Sequence, residues 1–215
     1  MKLLSWDVGI YNLSYCLLEK NDISDDIKII DWDIVNLVDN EELKKNRSLL
    51  FENIPRKLHE KPQLLDADIV VIENQPSLKN PQMKSIQMIL YSYFLILGKI
   101  IGNDRGYIGT IDFCSASNKL KIYDGPAIVL EQKVNKRKKV EVEIIESDVL
   151  PEKIPVKKSN TVKYADKKRL AVEHTKYFLQ KQPAYIDFFN EHKKKDDLAD
   201  SFLQGLYYYN KMKKN

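Results

Sequence analysis

The stretch Lys2-Leu3-Leu4-Ser5-Trp6-Asp7-Val8-Gly9-Ile10-Tyr11-Asn12-Leu13-Ser14-Tyr15-Cys16-Leu17-Leu18-Glu19 decides the architecture. Residues 2–7 are an apolar run that closes on a carboxylate. Residues 7–12 carry Gly and Asn turn chemistry, and 13–19 form a second apolar run. Two runs this close in sequence fold back on each other as an antiparallel hairpin. After the polar residues 21–26, a third strand is expected over 27–35. From 41 to 61 the period becomes helical, with Leu43, Arg47, Leu50, Ile54 and Leu58 three or four apart. Pro55 is expected to bend or interrupt that helix, because proline removes a helix hydrogen bond. Asp68-Ile69-Val70-Val71-Ile72-Glu73 is a short apolar strand that again ends in an acid.

Pro81 then opens a long helix reaching about residue 102, with Met83, Ile86, Leu90, Phe94, Leu97 and Ile101 as one apolar stripe. That stripe can pack on the sheet, form an interface between two copies, or do both. A fifth strand is expected over 107–113. Residues 127–130 and 140–145 pattern as a hairpin whose tip is Lys133-Val134-Asn135-Lys136-Arg137-Lys138-Lys139. Residues 147–161, with Pro151 and Pro155, read as loop, and 166–180 and 195–212 as helices. The order predicts an α/β fold with a mixed five-stranded sheet flanked by helices. Three antiparallel strands come first and parallel βαβ crossovers follow. The whole of 1–215 reads as a single domain, with the basic hairpin inserted at about 122–160.

A chain of 215 residues allows one embellished domain or two small ones, and 43% hydrophobic residues exclude wholesale disorder. Cys16 and Cys114 cannot build a disulfide framework; they fit a reducing, intracellular setting as small apolar filler. No stretch reaches the ~18–20 uninterrupted apolar residues of a membrane span. The longest candidate, 86–101, is broken by Gln87, Ser92 and Lys99, and the N-terminus carries no leader pattern. A soluble protein with no membrane partner is expected. Charge is uneven: residues 1–118 hold 13 Lys and Arg against 17 Asp and Glu, whereas 119–215 hold 22 against 14. The imbalance suits a polyanionic partner near the C-terminal half, or simply a lysine-rich solvated surface.

Three acidic features stand out. Asp7 and Glu73 each terminate an apolar strand, and Asp196-Asp197-Leu198-Ala199-Asp200 opens the last helix. At spacings of three and four, Asp196, Asp197 and Asp200 share one side of that helix while Phe202, Leu206 and Tyr209 can face the core. Each acid has an ordinary reading as turn, strand-end or helix-cap residue. Together they would repel unless a cation sat among them, and hard carboxylate oxygens suit Mg²⁺ or Mn²⁺ rather than zinc. His59, His174 and His192 lack ligand spacing and read as surface residues. There is no phosphate-binding Gly-rich loop and no Gly-x-Ser-x-Gly elbow.

Asp7-Val8-Gly9 with Asn12-Leu13-Ser14-Tyr15, Ile72-Glu73-Asn74-Gln75-Pro76 and Asp197-Leu198-Ala199-Asp200-Ser201 together resemble the RuvC-type Holliday junction resolvases. The variant they are most similar to is that of poxviruses and related large DNA viruses. The resemblance implies an RNase H-like fold over residues 1–113 and 161–212. It implies a structure-specific endonuclease that resolves four-way junctions by paired symmetric nicks, through two-metal-ion phosphodiester hydrolysis. It assigns Asp7, Glu73, Asp197 and Asp200 as ligands of Mg²⁺ or Mn²⁺, two ions per active site, and leaves Asp196 as an auxiliary acid or helix cap. Tyr164-Ala165-Asp166-Lys167 is similar to the family segment bearing a catalytic lysine, here Lys167; its ordinary reading is a solvated helix lysine. Lys119, Lys121, Lys136, Arg137, Lys138 and Lys139 are the expected DNA contacts. Branched DNA and a second copy of the chain are the expected partners, since two opposed strands require two sites. No small-molecule cofactor is expected.

Other readings share some of these residues. An RNase H-like nuclease acting on hybrids or other branched DNA would use the same acids. An actin-like ATPase also begins with Asp-x-Gly and Asn, but it needs a second Gly-rich phosphate loop that seven scattered glycines do not supply. A non-catalytic DNA-structure binding module would have no need of all four acids.

Overall fold

The computed structural model describes residues 1–128 and 164–213, apart from positions 22, 25, 79 and 105. Strands β1 (Lys2–Asp7), β2 (Asn12–Lys20), β3 (Ile27–Asn36), β4 (Ile69–Asn74) and β5 (Thr110–Ser115) form one sheet in the order β3-β2-β1-β4-β5. β1 pairs antiparallel with β2 and β2 with β3, while β1–β4 and β4–β5 are parallel. This is the sheet expected from the sequence. The turn after β1 depends on Gly9, because a Cβ there would lie 2.1 Å from the Asn12 carbonyl oxygen.

Alternation along the strands divides the core. Leu4, Trp6, Val70 and Ile72 face one side, under helices α2 (Arg47–His59) and α3 (Pro81–Tyr93) with their Leu50, Ile54, Ile86 and Leu90. Leu3, Cys16, Leu18, Ile69 and Val71 face the other side. There α4 (Tyr164–Leu179), α5 (Ile186–Glu191) and α6 (Lys195–Lys213) supply Ala171, Phe189, Leu198, Phe202 and Leu206. Parity thus places Asp7 and Glu73 on the α6 face with Leu3 and Ser5. Cys16 and Cys114 are free and buried.

Several expectations are corrected. The helix read over 41–61 breaks at Asn46 rather than at Pro55, giving a short α1 (Glu41–Lys45) and then α2. Extended Asn46 accepts from Ser48 N and Leu49 N, so it starts a new helix, and α2 continues through Pro55. The long helix from Pro81 is α-wound only to Tyr93; Phe94–Ile101 is π-wound. Bonding from i to i+5 widens the turns and carries Ile101 out of the stripe to 61% exposure, while Ile86, Leu90 and Phe94 stay buried. Although Gln87, Ser92 and Lys99 interrupt it, Pro81–Ile101 is long and apolar enough on average to cross a membrane. In this fold its Ile86, Gln87 and Leu90 side packs against the sheet. Gly102 ends it at φ 74, where a side chain would also strike the Tyr107 ring. The fifth strand starts at Thr110, later than read, because Tyr107–Gly109 serve as the connection, with Ile108 N bonded to Gly98 O. Of the hairpin read over 127–130 and 140–145, all but positions 127 and 128 lies outside the described residues, as does its basic tip.

His174 is not a surface residue. It is buried at 7% exposure, stacked on Tyr123 with ring centroids 3.9 Å apart, and its Nδ1 has no hydrogen-bond partner among the described residues. Burial lowers its pKa from 6.5 to about 4. Below pH 6.5 the unfolded chain takes up a proton that the folded chain refuses until about pH 4, so stability is lost across that window as pH falls. Urea midpoints for wild type and His174→Phe should diverge between pH 7.5 and pH 5. The wild type should lose about 2 kcal/mol more than the variant over that range. Parallel pH profiles for the two proteins would show that His174 is not held neutral.

Candidate active site

The sheet and α6 bring together the acids singled out in the sequence. Asp7 ends β1, and Glu73 follows Ile72, the partner of Trp6 in the parallel β1–β4 register. Asp197 and Asp200 lie in the first turns of α6. That helix is fixed over the sheet by polar contacts: Ser14 Oγ meets Ser201 Oγ at 2.8 Å, and Gln204 Nε2 donates to Ser5 Oγ at 3.1 Å and to Trp6 O at 3.0 Å. Trp32 Nε1 donates to Leu198 O at 3.1 Å. The four acids line a cleft of about 700 Å³, together with Tyr11, Gln75, Lys119, Lys167 and Lys194.

At the floor of the cleft stands an ammonium group. Lys119 Nζ lies 2.5 Å from Asp7 Oδ1, 3.1 Å from Glu73 Oε1 and 3.1 Å from Asp200 Oδ2. Its residue is 4% exposed, on the 3₁₀ helix Ala116–Ile122 that follows β5 and packs on α6. Lys119, expected as a DNA contact, lies in the interior of the acidic cluster. Lys121, two residues on, is exposed and donates to Asn118 Oδ1. Lys167 lies exposed on α4 at the rim rather than among the acids. Asp196 is paired with Lys168 and held below the ordinary carboxylate range by it, burial opposing, so it does not join the other four. Lys136, Arg137, Lys138 and Lys139 lie outside the described residues.

The electrostatics follow from crowding and burial. Burial first, then the Asp7 charge, push Glu73 up to about 8, with Lys119 opposing. Burial and Asp7 likewise raise Asp200 to about 6 against the pull of Lys119. Burial, followed by Asp196 and Asp7, raises Asp197. Burial works against the Lys119 ammonium, yet Asp7, Asp200 and Glu73 hold its pKa well above the lysine range. The donor set consists of hard carboxylate oxygens, which suit Mg²⁺ or Mn²⁺, and the site already gathers around a positive charge. In chemistry it fits a divalent ion. In spacing, no three His, Cys, Asp or Glu side chains among the described residues are drawn together as ligands, and Lys119 stands between Asp7, Glu73 and Asp200.

Two further residues support the site: Gln75, which stands in the motif quoted from the sequence, and Gln87, which the sequence did not single out. Gln75 Nε2 donates to Glu73 Oε2 at 2.7 Å, so Oε1 is left for the cleft. Buried Gln87 of α3 accepts from Gln75 N at 2.8 Å and from Lys84 Nζ at 3.1 Å. The available signal was a glutamine set between Ile86 and Leu90 on an otherwise apolar helix face. Gln87→Met should leave the buried Gln75 N–H without an acceptor and cost about 1–3 kcal/mol in urea unfolding. An unchanged midpoint would show that this bond does not support the Glu73 segment.

No protein-family model matches the chain. An uncharacterised protein of Acanthamoeba polyphaga mimivirus is 37% identical over 155 residues, or 71% of this chain, and the chain spans only 31% of that protein's length. Among solved structures, the fowlpox virus resolvase in complex with Holliday junction DNA is similar at a TM-score of 0.57 and 18% identity, with 99% of both chains covered. The yeast mitochondrial Holliday junction resolvase gives 0.54 at 16% identity, over 96% of this chain and 78% of that one. Thermus thermophilus RuvC with its junction substrate gives 0.51 at 10% identity, over 99% and 96%. From the antiparallel hairpin to helix α6, the chain has the fold of these Holliday junction resolvases.

Proposed function

We propose that the chain is a structure-specific DNA endonuclease that resolves four-way junctions by paired nicks. One observation carries the reading: in a fold shared with junction resolvases, carboxylates from β1, β4 and α6 converge on a single cleft. Asp7, Glu73, Asp197 and Asp200 would hold Mg²⁺ or Mn²⁺, which when bound supplies an acidified water and neutralises charge at the scissile phosphate. The chain's own residues do the remainder. Gln75 and Val8 N, the latter at 3.4 Å, orient Glu73 through Oε2. Asn12 Nδ2 reaches Asp197 Oδ2 at 3.5 Å. Lys167 and Lys194 at the rim place positive charge where a phosphate backbone would enter.

The test is a synthetic four-way junction offered with and without Mg²⁺ or Mn²⁺, beside duplex, flap and RNA/DNA hybrid controls. Junction-selective, metal-dependent paired nicks are expected. Cutting of the hybrid instead would favour an RNase H-type activity on the same site. Asp7→Asn, Glu73→Gln, Asp197→Asn and Asp200→Asn should each lose about 100-fold or more in cleavage rate while binding of the junction persists. Asp196→Asn, whose carboxylate is occupied by Lys168, should stay within a few-fold of wild type. Near-normal cleavage by any two of the four would rule out the site.

Paired nicks on opposed strands need two such clefts. Ile96, Ile100 and Ile101 are exposed on the Pro81–Ile101 segment, and a second copy related by a two-fold axis would cover them. Sedimentation at micromolar concentration should give a species of twice 25.1 kDa, and Ile96→Lys with Ile100→Lys should return it to monomer. Only monomers, with and without junction DNA, would remove the dimer from this reading.

A further inference from the structure

We infer that Lys119 fills a cation position of the acidic cleft, and that a divalent ion binds there by exchange with its ammonium rather than by addition beside it. The inference rests on the metal-dependent reading above. The position is built from three separate parts of the chain: Asp7 Oδ1 from β1, Glu73 Oε1 from β4 and Asp200 Oδ2 from α6, at 2.5, 3.1 and 3.1 Å from one nitrogen. On Glu73, Oε2 is already taken by Gln75 and Val8 N, so Oε1 is the oxygen that faces the cation.

Size and charge make the two occupants exclusive. Mg²⁺ needs oxygens at about 2.0–2.1 Å, so the same carboxylates must close inward by up to roughly 1 Å. They cannot do so around an ammonium that already sits between them. A buried lysine cannot leave several carboxylates uncompensated at low cost, but a doubly charged ion replaces it with more charge in less space. The cleft of about 700 Å³ beside it gives the flexible lysine stem room to turn outward, toward the side where a phosphate would lie.

The exchange can be read without cleavage. The full-length protein is treated with an amine-acetylating reagent in EDTA and again in saturating Mn²⁺ or Ca²⁺, and each lysine is followed by mass spectrometry. Exposed Lys121 serves as the internal control. Lys119 should be protected in EDTA and label about ten-fold faster or more with the ion, while Lys121 is unchanged. In calorimetry, Lys119→Met should bind Mn²⁺ about ten-fold tighter or more than wild type, because the competing charge is gone. Mn²⁺ binding with Lys119 still protected overturns the exchange and leaves the metal site standing. No Mn²⁺ binding by wild type overturns the metal reading itself, and the exchange with it. If Lys119→Met fails to fold, the labelling of the wild-type chain decides the matter alone.

Discussion

Carboxylates of one sign cannot be packed into a low-dielectric cleft without a compensating charge, and the floor of this cleft is organised around that constraint. The sheet and α6 force Asp7, Glu73 and Asp200 onto a common point, and the chain answers with Lys119. Burial first, then repulsion from Asp7, raises Glu73 and Asp200, and the same acids hold the Lys119 ammonium charged against its own burial. Burial and the ion contacts together therefore set the protonation of the cleft, and the ion contacts set its shape. Removing either sign from such a cluster leaves buried charge unpaired, which is far costlier than losing a surface pair.

Holding that geometry falls to α6. Its apolar positions, Leu198, Phe202 and Leu206, bury against the sheet, while Ser201 and Gln204 bond to β2 and β1 through Ser14, Ser5 and Trp6 O. Polar groups buried between a helix and a sheet carry a penalty unless matched, so their pairing fixes one axial position of the helix. A slip along the axis would break both contacts together. Asp197 and Asp200, in the turns just before Ser201, are therefore placed by bonds that lie outside the cleft.

Much of this was legible in the sequence, for identifiable reasons. The mixed sheet, antiparallel first and parallel after, followed from run lengths, a Gly–Asn turn and two crossover helices. Asp7 and Glu73 announced themselves as lone acids closing apolar strands, and parity with Leu3 and Val71 puts both on the α6 face. What could not be read depends on contacts distant in sequence. Lys119 and Asp7 are 112 residues apart, and only the parallel β1–β4–β5 register brings them together. In sequence Lys119 therefore looks like any lysine of a basic segment. His174 was missed for a similar reason, since its partner Tyr123 lies across the inserted stretch. The break at Asn46 was overlooked because Pro55 is the stronger signal in sequence, although a proline within α2 proved compatible with the helix and an extended Asn did not.

Floor and rim of the cleft carry opposite charges, and this has a thermodynamic consequence for the proposed activity. Lysines at the rim, Lys167 and Lys194 among them, would favour a phosphate backbone, whereas at the floor Asp7, Asp197 and Asp200 outnumber the single Lys119 ammonium even with Glu73 raised to about 8. A phosphate drawn in by the rim meets repulsion at the floor until more positive charge arrives there. On the proposed reading, divalent ions at the floor and DNA at the rim must then strengthen each other's binding. Linkage makes the effect equal in both directions: whatever factor the ions add to DNA affinity, DNA adds to theirs. On that reading, bare DNA affinity would come mainly from rim charge and fall with salt, and commitment of a phosphate to the floor would wait on the ions. On the proposed reading, such an arrangement would let DNA be held through the rim while the acidic floor keeps uncompensated phosphates out of the reactive position.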